Sequence, residues 1–267
     1  MSVNSTHTSI AFGALAGLVV SAATATGVAL ASNQAASGQL VNFDQPISTA
    51  SASTAAPSTE GMVGGDQSPD MATFLTSVLT DIDQFWAGVF VNAGLAENQV
   101  SYVFPAPGES VQSACNGGIQ TDDSAAFYCP PDDTIVISQA AATQIWQGQM
   151  TADPNNTASH ESGDFSVALV VAHEYAHALQ EELGLTASET RKTELQADCL
   201  AGVWANSAYY KGMLEGGDVE EGIAALELVG DYDYADPGHH GTPEERVNAF
   251  LNGYNTGQGN ACDGYLA

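Results

Sequence analysis

Five consecutive residues, His173-Glu174-Tyr175-Ala176-His177, set two imidazoles four positions apart with a carboxylate beside the first. On an α-helix such positions share a face, so both rings can aim a nitrogen at one ion while Glu174 faces the same cleft as a base. A catalytic zinc site takes three protein ligands and keeps one position open for water, so another His, Glu or Cys is required. Glu194, on the next predicted helix, is the candidate third ligand. Asp198 follows it by one helical turn and can accept the outer ring N–H of a liganding histidine. The chemistry within reach is attack of an activated water on a peptide carbonyl, with Glu174 taking the proton and passing it to the leaving amine. The developing oxyanion needs a donor. His240, just ahead of a helix start at Thr242, is the candidate, with His239 beside it and Tyr209 and Tyr210 as alternatives.

Two adjacent helices must position these groups. Asp164 to Leu183 reads as a long, strongly apolar helix ended by Gly184, and it contains both motif histidines. A second helix begins near Ser188 and runs past Trp204, carrying Glu194 and Asp198. A third covers Val219 to Val229, and a fourth opens at Thr242-Pro243-Glu244-Glu245, where Thr242 and Glu245 make a capping box. Upstream, Ser68-Pro69-Asp70 reads as a helix start with Ser68 as cap, and Phe74, Leu75, Val78, Leu79, Ile82 and Trp86 recur at helical spacing until Gly94. Between Gln99 and Ser138 short β-type runs, Val100 to Phe104, Ala126 to Cys129 and Thr134 to Ile137, alternate with Gly, Asn, Asp and Pro clusters. The fold class is therefore α+β, mostly helical, with a small sheet.

Four Lys and Arg stand against 32 Asp and Glu, a formal net charge of -28 over 267 residues. This excludes electrostatic attraction to nucleic acid or anionic lipid, suits solubility in high salt, and favours basic over acidic substrates. Ile10 to Ala31 is a nearly uninterrupted apolar run with small-residue sites at Ala23-Thr24-Ala25 and Ala29-Leu30-Ala31. Residues 1–31 are accordingly expected to be a signal peptide or membrane anchor, 32–67 a flexible low-complexity linker, and 68–267 the folded domain. The protein is expected to work outside the cytoplasm, secreted or anchored, and to meet a membrane only through that first segment. Export suits the four cysteines, Cys115, Cys129, Cys199 and Cys262: two disulfides are expected, with three pairings formally open.

The remaining candidates read as structural. His7 and His160 sit in polar surroundings as solvated histidines. Asp231, Asp233 and Asp236 lack the Gly and terminal Glu of a calcium loop and read as turn formers. Asn155-Asn156-Thr157 is a glycosylation sequon by pattern.

From about Asp70 to Tyr265 the chain resembles a bacterial zincin-like family, the putative neutral zinc metallopeptidases. The resemblance rests on Ala126-Phe127-Tyr128-Cys129-Pro130, Gly163-Asp164-Phe165, Ala172 to Gln180, Glu194 to Cys199, Ala201-Gly202-Val203-Trp204-Ala205, and His240-Gly241-Thr242 with Glu245-Arg246. It implies a zinc-dependent peptidase with one ion per chain held by His173, His177 and Glu194, and Glu174 as catalytic residue. It also implies the pairs Cys115–Cys129 and Cys199–Cys262. The chain departs from the family pattern at Ala176 and Ala178, where Gly and a third His are expected. A peptide or protein substrate follows, without a named one. Cell-wall peptide is a variant of that reading. The competing class is a catalytically silent, zinc-stabilised binding module on the cell surface. A retained Glu174 argues against that class, because a purely structural site needs no base.

Overall fold

The structure, a computed structural model, describes residues 70–149 and 162–267 except 97 and 186. The expected signal or anchor, the linker, His7, His160 and the sequon lie outside the described residues. Among the described residues are six α-helices, α1 (Met71–Ala93), α2 (Gln139–Trp146), α3 (Asp164–Glu182), α4 (Thr190–Tyr210), α5 (Asp218–Val229) and α6 (Pro243–Thr256). Five short strands accompany them: β1 (Ser101–Val103), β2 (Gln112–Ser113), β3 (Ile119–Gln120), β4 (Ala126–Cys129) and β5 (Thr134–Ile137). The architecture is the α+β, mostly helical, zincin-like one expected.

The central element is α3. It buries residues on all sides, from Phe165 through Val171 to Leu179, as a helix that is apolar all round must. Ala176 and Ala178, the two departures from the family pattern, are 0% and 1% exposed, so small side chains are packed flush at both positions. Helix α1 lies against α3 and α4 and is fixed by two carboxylates: Asp83 accepts the Tyr175 hydroxyl at 2.8 Å, and Asp81 accepts the Trp204 indole N–H at 2.9 Å. Its N-cap is Asp70 and not Ser68. The Asp70 carboxylate accepts the Thr73 hydroxyl and makes no bond to a helix amide. Gly94 closes the helix at φ 72°, in the left-handed region.

The sheet runs β1-β5-β4, with β1 parallel and β4 antiparallel to β5. Phe104 drops out of the expected first strand because Pro105 follows it; Gln139 instead caps that turn by donating its side-chain amide to the Phe104 carbonyl. The β2–β3 pair and α2 were not anticipated. Two-residue strands carry no readable periodicity. Helix α2 is short and depends on Ser138, whose hydroxyl accepts the Ala141 N–H at 3.1 Å. The disulfide Cys115–Cys129 ties the β2–β3 region to the end of β4.

Helices α4 and α6 approach unusually closely because a glycine faces the partner from each. A Cβ on Gly202 would lie 2.1 Å from the Phe250 carbonyl oxygen, and one on Gly253 would lie 1.8 Å from that of Cys199. The second disulfide, Cys199–Cys262, pins the carboxy-terminal 3-10 segment Gly259–Leu266 to the same side of α4. It spans 63 residues, and chain-entropy reasoning assigns such a loop about 4 kcal/mol. Helix α4 begins at Thr190, two positions after the expected start, and Thr242 with Glu245 forms the expected capping box on α6.

Candidate metal and catalytic site

Three side chains from α3 and α4 converge. His173 Nε2 lies 3.1 Å from His177 Nε2 and 3.0 Å from Glu194 Oε2, and His177 Nε2 lies 3.5 Å from Glu194 Oε1. A tetrahedral ion with ligands at roughly 2.0–2.1 Å has edges of about 3.3–3.4 Å. The two histidines reach different oxygens of Glu194, and the three separations scatter about that edge length, so the side chains converge on the scale such an ion requires. Their donor set is also chemically apt: two imidazole nitrogens face each other and a carboxylate, an arrangement of lone pairs that needs a proton or a cation at its centre.

Each histidine is fixed from behind. His173 Nδ1 lies 2.8 Å from Asp198 Oδ1, and His177 Nδ1 lies 2.8 Å from Gln180 Oε1. Asp198 is fully buried and is itself clamped by Arg246, whose Nε and Nη2 donate at 2.8 and 2.9 Å. Gln180 is fixed in turn, donating to the Thr193 carbonyl and the Gln196 side chain. One histidine thus leans on an anion and the other on a neutral amide. Burial disfavours a charged His173, but Asp198 and Glu194 outweigh it and raise its pKa to about 10. Burial also opposes ionisation of Glu194, and the two histidines overcome it, holding that carboxyl far below its usual range.

Glu174 sits beside the triangle in a cleft of about 380 Å³. One of its oxygens, Oε2, accepts the Tyr128 backbone N–H at 2.8 Å. That donor exists because β4 pairs with β5 on one side only, leaving Tyr128 to present its amide outward. His240 lines the same cleft. Asp231 organises the segment that carries it, accepting the His240 backbone N–H and receiving the His239 ring. His239 is 6% exposed, is not a cleft wall, and serves that loop. Tyr209 packs against Tyr254 and Tyr210 is 70% exposed; neither lines the cleft. Asp231, Asp233 and Asp236 each accept the amide two residues on, the turn-forming role expected.

Sequence reasoning missed three contributors. Gln180 stands three positions after His177 on one helix face, a spacing that could have flagged it. Arg246 is one of only four cations in a very acidic chain, a signal read only as texture. The Tyr128 amide is a backbone group exposed by strand order, and no residue type announces it.

A second group, Asp164, Asp218 and Glu221, brings one oxygen from each residue within 4.8 Å at the start of α3 and α5. Burial, then mutual repulsion, raises Asp164 to about 6 and Glu221 to about 7.

Two histidines one turn apart on a buried helix, a glutamate from the next helix and a carboxylate beside them make a candidate metal site on a zincin-like fold. The chain belongs to the family described as "Putative neutral zinc metallopeptidase", whose profile matches residues 5–265. It is similar to the uncharacterized protein YpfJ of Escherichia coli, 28% identical over 218 residues that cover 73% of this chain and 71% of that one. An uncharacterized protein of Mycobacterium tuberculosis is 31% identical over 179 residues, covering 56% of this chain and 58% of its own length. No solved structure matches.

Proposed function

We propose that the protein is a zinc-dependent peptidase in which His173, His177 and Glu194 hold the ion, Glu174 is the general base and acid, and His240 steadies the oxyanion. The observation that carries this is the convergence of His173 Nε2, His177 Nε2 and the two carboxylate oxygens of Glu194 at separations of 3.0, 3.1 and 3.5 Å, with Glu174 in the same cleft. When bound, zinc supplies Lewis-acid polarisation of a carbonyl and brings the pKa of water toward neutrality.

The protein's own groups account for the rest. Asp198 and Gln180 fix the ring planes, so the ligand nitrogens are set before any ion arrives. The Tyr128 amide holds one oxygen of Glu174, leaving the other to take a proton from the attacking water and return it to the leaving amine. His240 reaches the cleft from the wall formed by the segment after α5, where it can donate to the charge that develops on the carbonyl oxygen.

The two disulfides support action outside the cytoplasm, where such bridges persist. Residues 1–31 as signal or anchor and 32–67 as linker fit that setting. The test is zinc content and cleavage of a peptide library by the full chain. One zinc per chain, with cleavage lost on chelation and restored by zinc, is the expected result. One zinc with no cleavage of any peptide would favour the silent binding module, and a chain that binds no zinc would end the proposal.

A further inference from the structure

The chain's total supply of lysine and arginine is four side chains, and each has an acceptor. Arg191 pairs with Glu245, Lys192 with the Ala267 carbonyl, and Lys211 with Asp81. Only the fourth, Arg246, lines the cleft. It is 5% exposed and directs two guanidinium donors onto one buried carboxylate, Asp198, so its charge is already cancelled by a partner that cannot move away.

Among the described residues, charge in the rest of the cleft also sums to nothing positive. Glu174 and Glu194 carry two negative charges, which a divalent ion at the histidine triangle would balance. Arg246 and Asp198 balance each other. The wall built by α5 against the turn of α3 preceding the motif is apolar, with Leu169, Val170, Ala225, Leu226 and Val229. Beyond the cleft the field is that of a chain with formal charge -28. A carboxylate brought here would shed water against aliphatic groups and find no uncommitted lysine or arginine. An uncharged side chain or a chain-internal amide meets no such cost, and an amine is drawn in by the field.

We infer that the site favours bonds flanked by apolar residues and discriminates against a substrate carboxylate beside the scissile bond, so that the protein does not act as a carboxypeptidase. This rests on the peptidase reading above. Its positive determinant is the α3–α5 wall, and its negative determinant is the commitment of Arg246 to Asp198.

The experiment uses the zinc-loaded full chain and matched fluorogenic peptides with Leu at the bond to be cut. Members of each pair differ only in ending, one residue past that bond, as carboxamide or free carboxylate. At about pH 8, where an ordinary histidine is neutral, and at low salt, kcat/KM for the carboxylate is expected to be lower by roughly tenfold or more. The gap narrows as added salt screens the field. Val229→Lys, which plants an ammonium on a half-buried wall position, is expected to raise the ratio of carboxylate to carboxamide kcat/KM at least several-fold, and an unchanged ratio in a variant that still cleaves the carboxamide would overturn the inference. Equal or faster cleavage of the wild-type carboxylate peptide would overturn the inference and leave the peptidase reading standing. Cleavage of no peptide at all, with zinc bound, would overturn the reading beneath it.

Discussion

Arg246 and His173 share one carboxylate. Asp198 Oδ1 lies 2.8 Å from the outer nitrogen of His173 and also accepts Arg246 Nη2 at 2.9 Å, while Oδ2 takes Arg246 Nε at 2.8 Å. The chain Arg246–Asp198–His173 crosses three helices, α6, α4 and α3, so the packing of the carboxy-terminal third of the protein sets the orientation of the His173 ring.

Asp198→Asn keeps the shape and removes the charge. It leaves a buried guanidinium without its counter-ion, which typically costs about 3–5 kcal/mol of stability, and it weakens the hold on His173, which typically costs about 10–100-fold in metal affinity. Denaturant unfolding and chelator competition measure the two losses separately. Arg246→Lys should retain the charge but lose the two-pronged geometry, giving smaller losses of both kinds.

Held as proposed, zinc would displace a proton from His173, whose pKa is raised to about 10 in the ion-free protein. Its neutral form becomes scarcer as pH falls, so apparent zinc affinity is expected to drop about tenfold per pH unit for each proton displaced over the range below about 9. Competition titrations at several pH values test this. An affinity flat from about pH 6 to 9 would contradict it.

The carboxylates at the start of α3 and α5 make the opposite demand. Asp164 and Glu221 have folded-state pKa values raised to about 6 and about 7, so the folded chain binds more protons than the unfolded one between about pH 4 and 7. Stability from this cluster is present at the acidic end of that window and is lost as pH rises through it. His173 in the ion-free protein has the same sign, but its contribution is lost only toward about 10. Glu221→Gln is therefore expected to flatten the dependence of melting temperature on pH in the lower window, and that difference is the quantity to measure.

Gly253→Ala puts a methyl group into the Cys199 carbonyl, where its Cβ would stand 1.8 Å away. The helices must separate, at a cost of about 1–3 kcal/mol. Because Arg246 rides on α6, the same change should also lower zinc affinity. A variant with wild-type stability would show that the α4–α6 approach is looser than described.

Much of this was legible beforehand. The long apolar stretch around His173 could only be a buried helix, and the Thr242–Glu245 pattern fixed the start of α6 through its own hydrogen bonds. The helical repeat places His173 and His177 on one face, Glu194 is a candidate on the next helix, and the family resemblance supplies the three as a set. What escaped depended on tertiary placement. Arg246 meets Asp198 only because two glycines let α4 and α6 touch, and the Tyr128 amide meets Glu174 only because β4 ends up at a sheet edge. Helix α2 and the β2–β3 pair were missed because elements so short take their stability from neighbours and caps.

In the proposed peptidase site Glu174 is the base. The most direct measurement of that role compares wild type and Glu174→Gln for zinc content and turnover of one cleaved peptide. About one zinc per chain is expected in both proteins, with turnover reduced roughly 10²–10⁴-fold in the variant. A variant that binds zinc and turns over at the wild-type rate would contradict it.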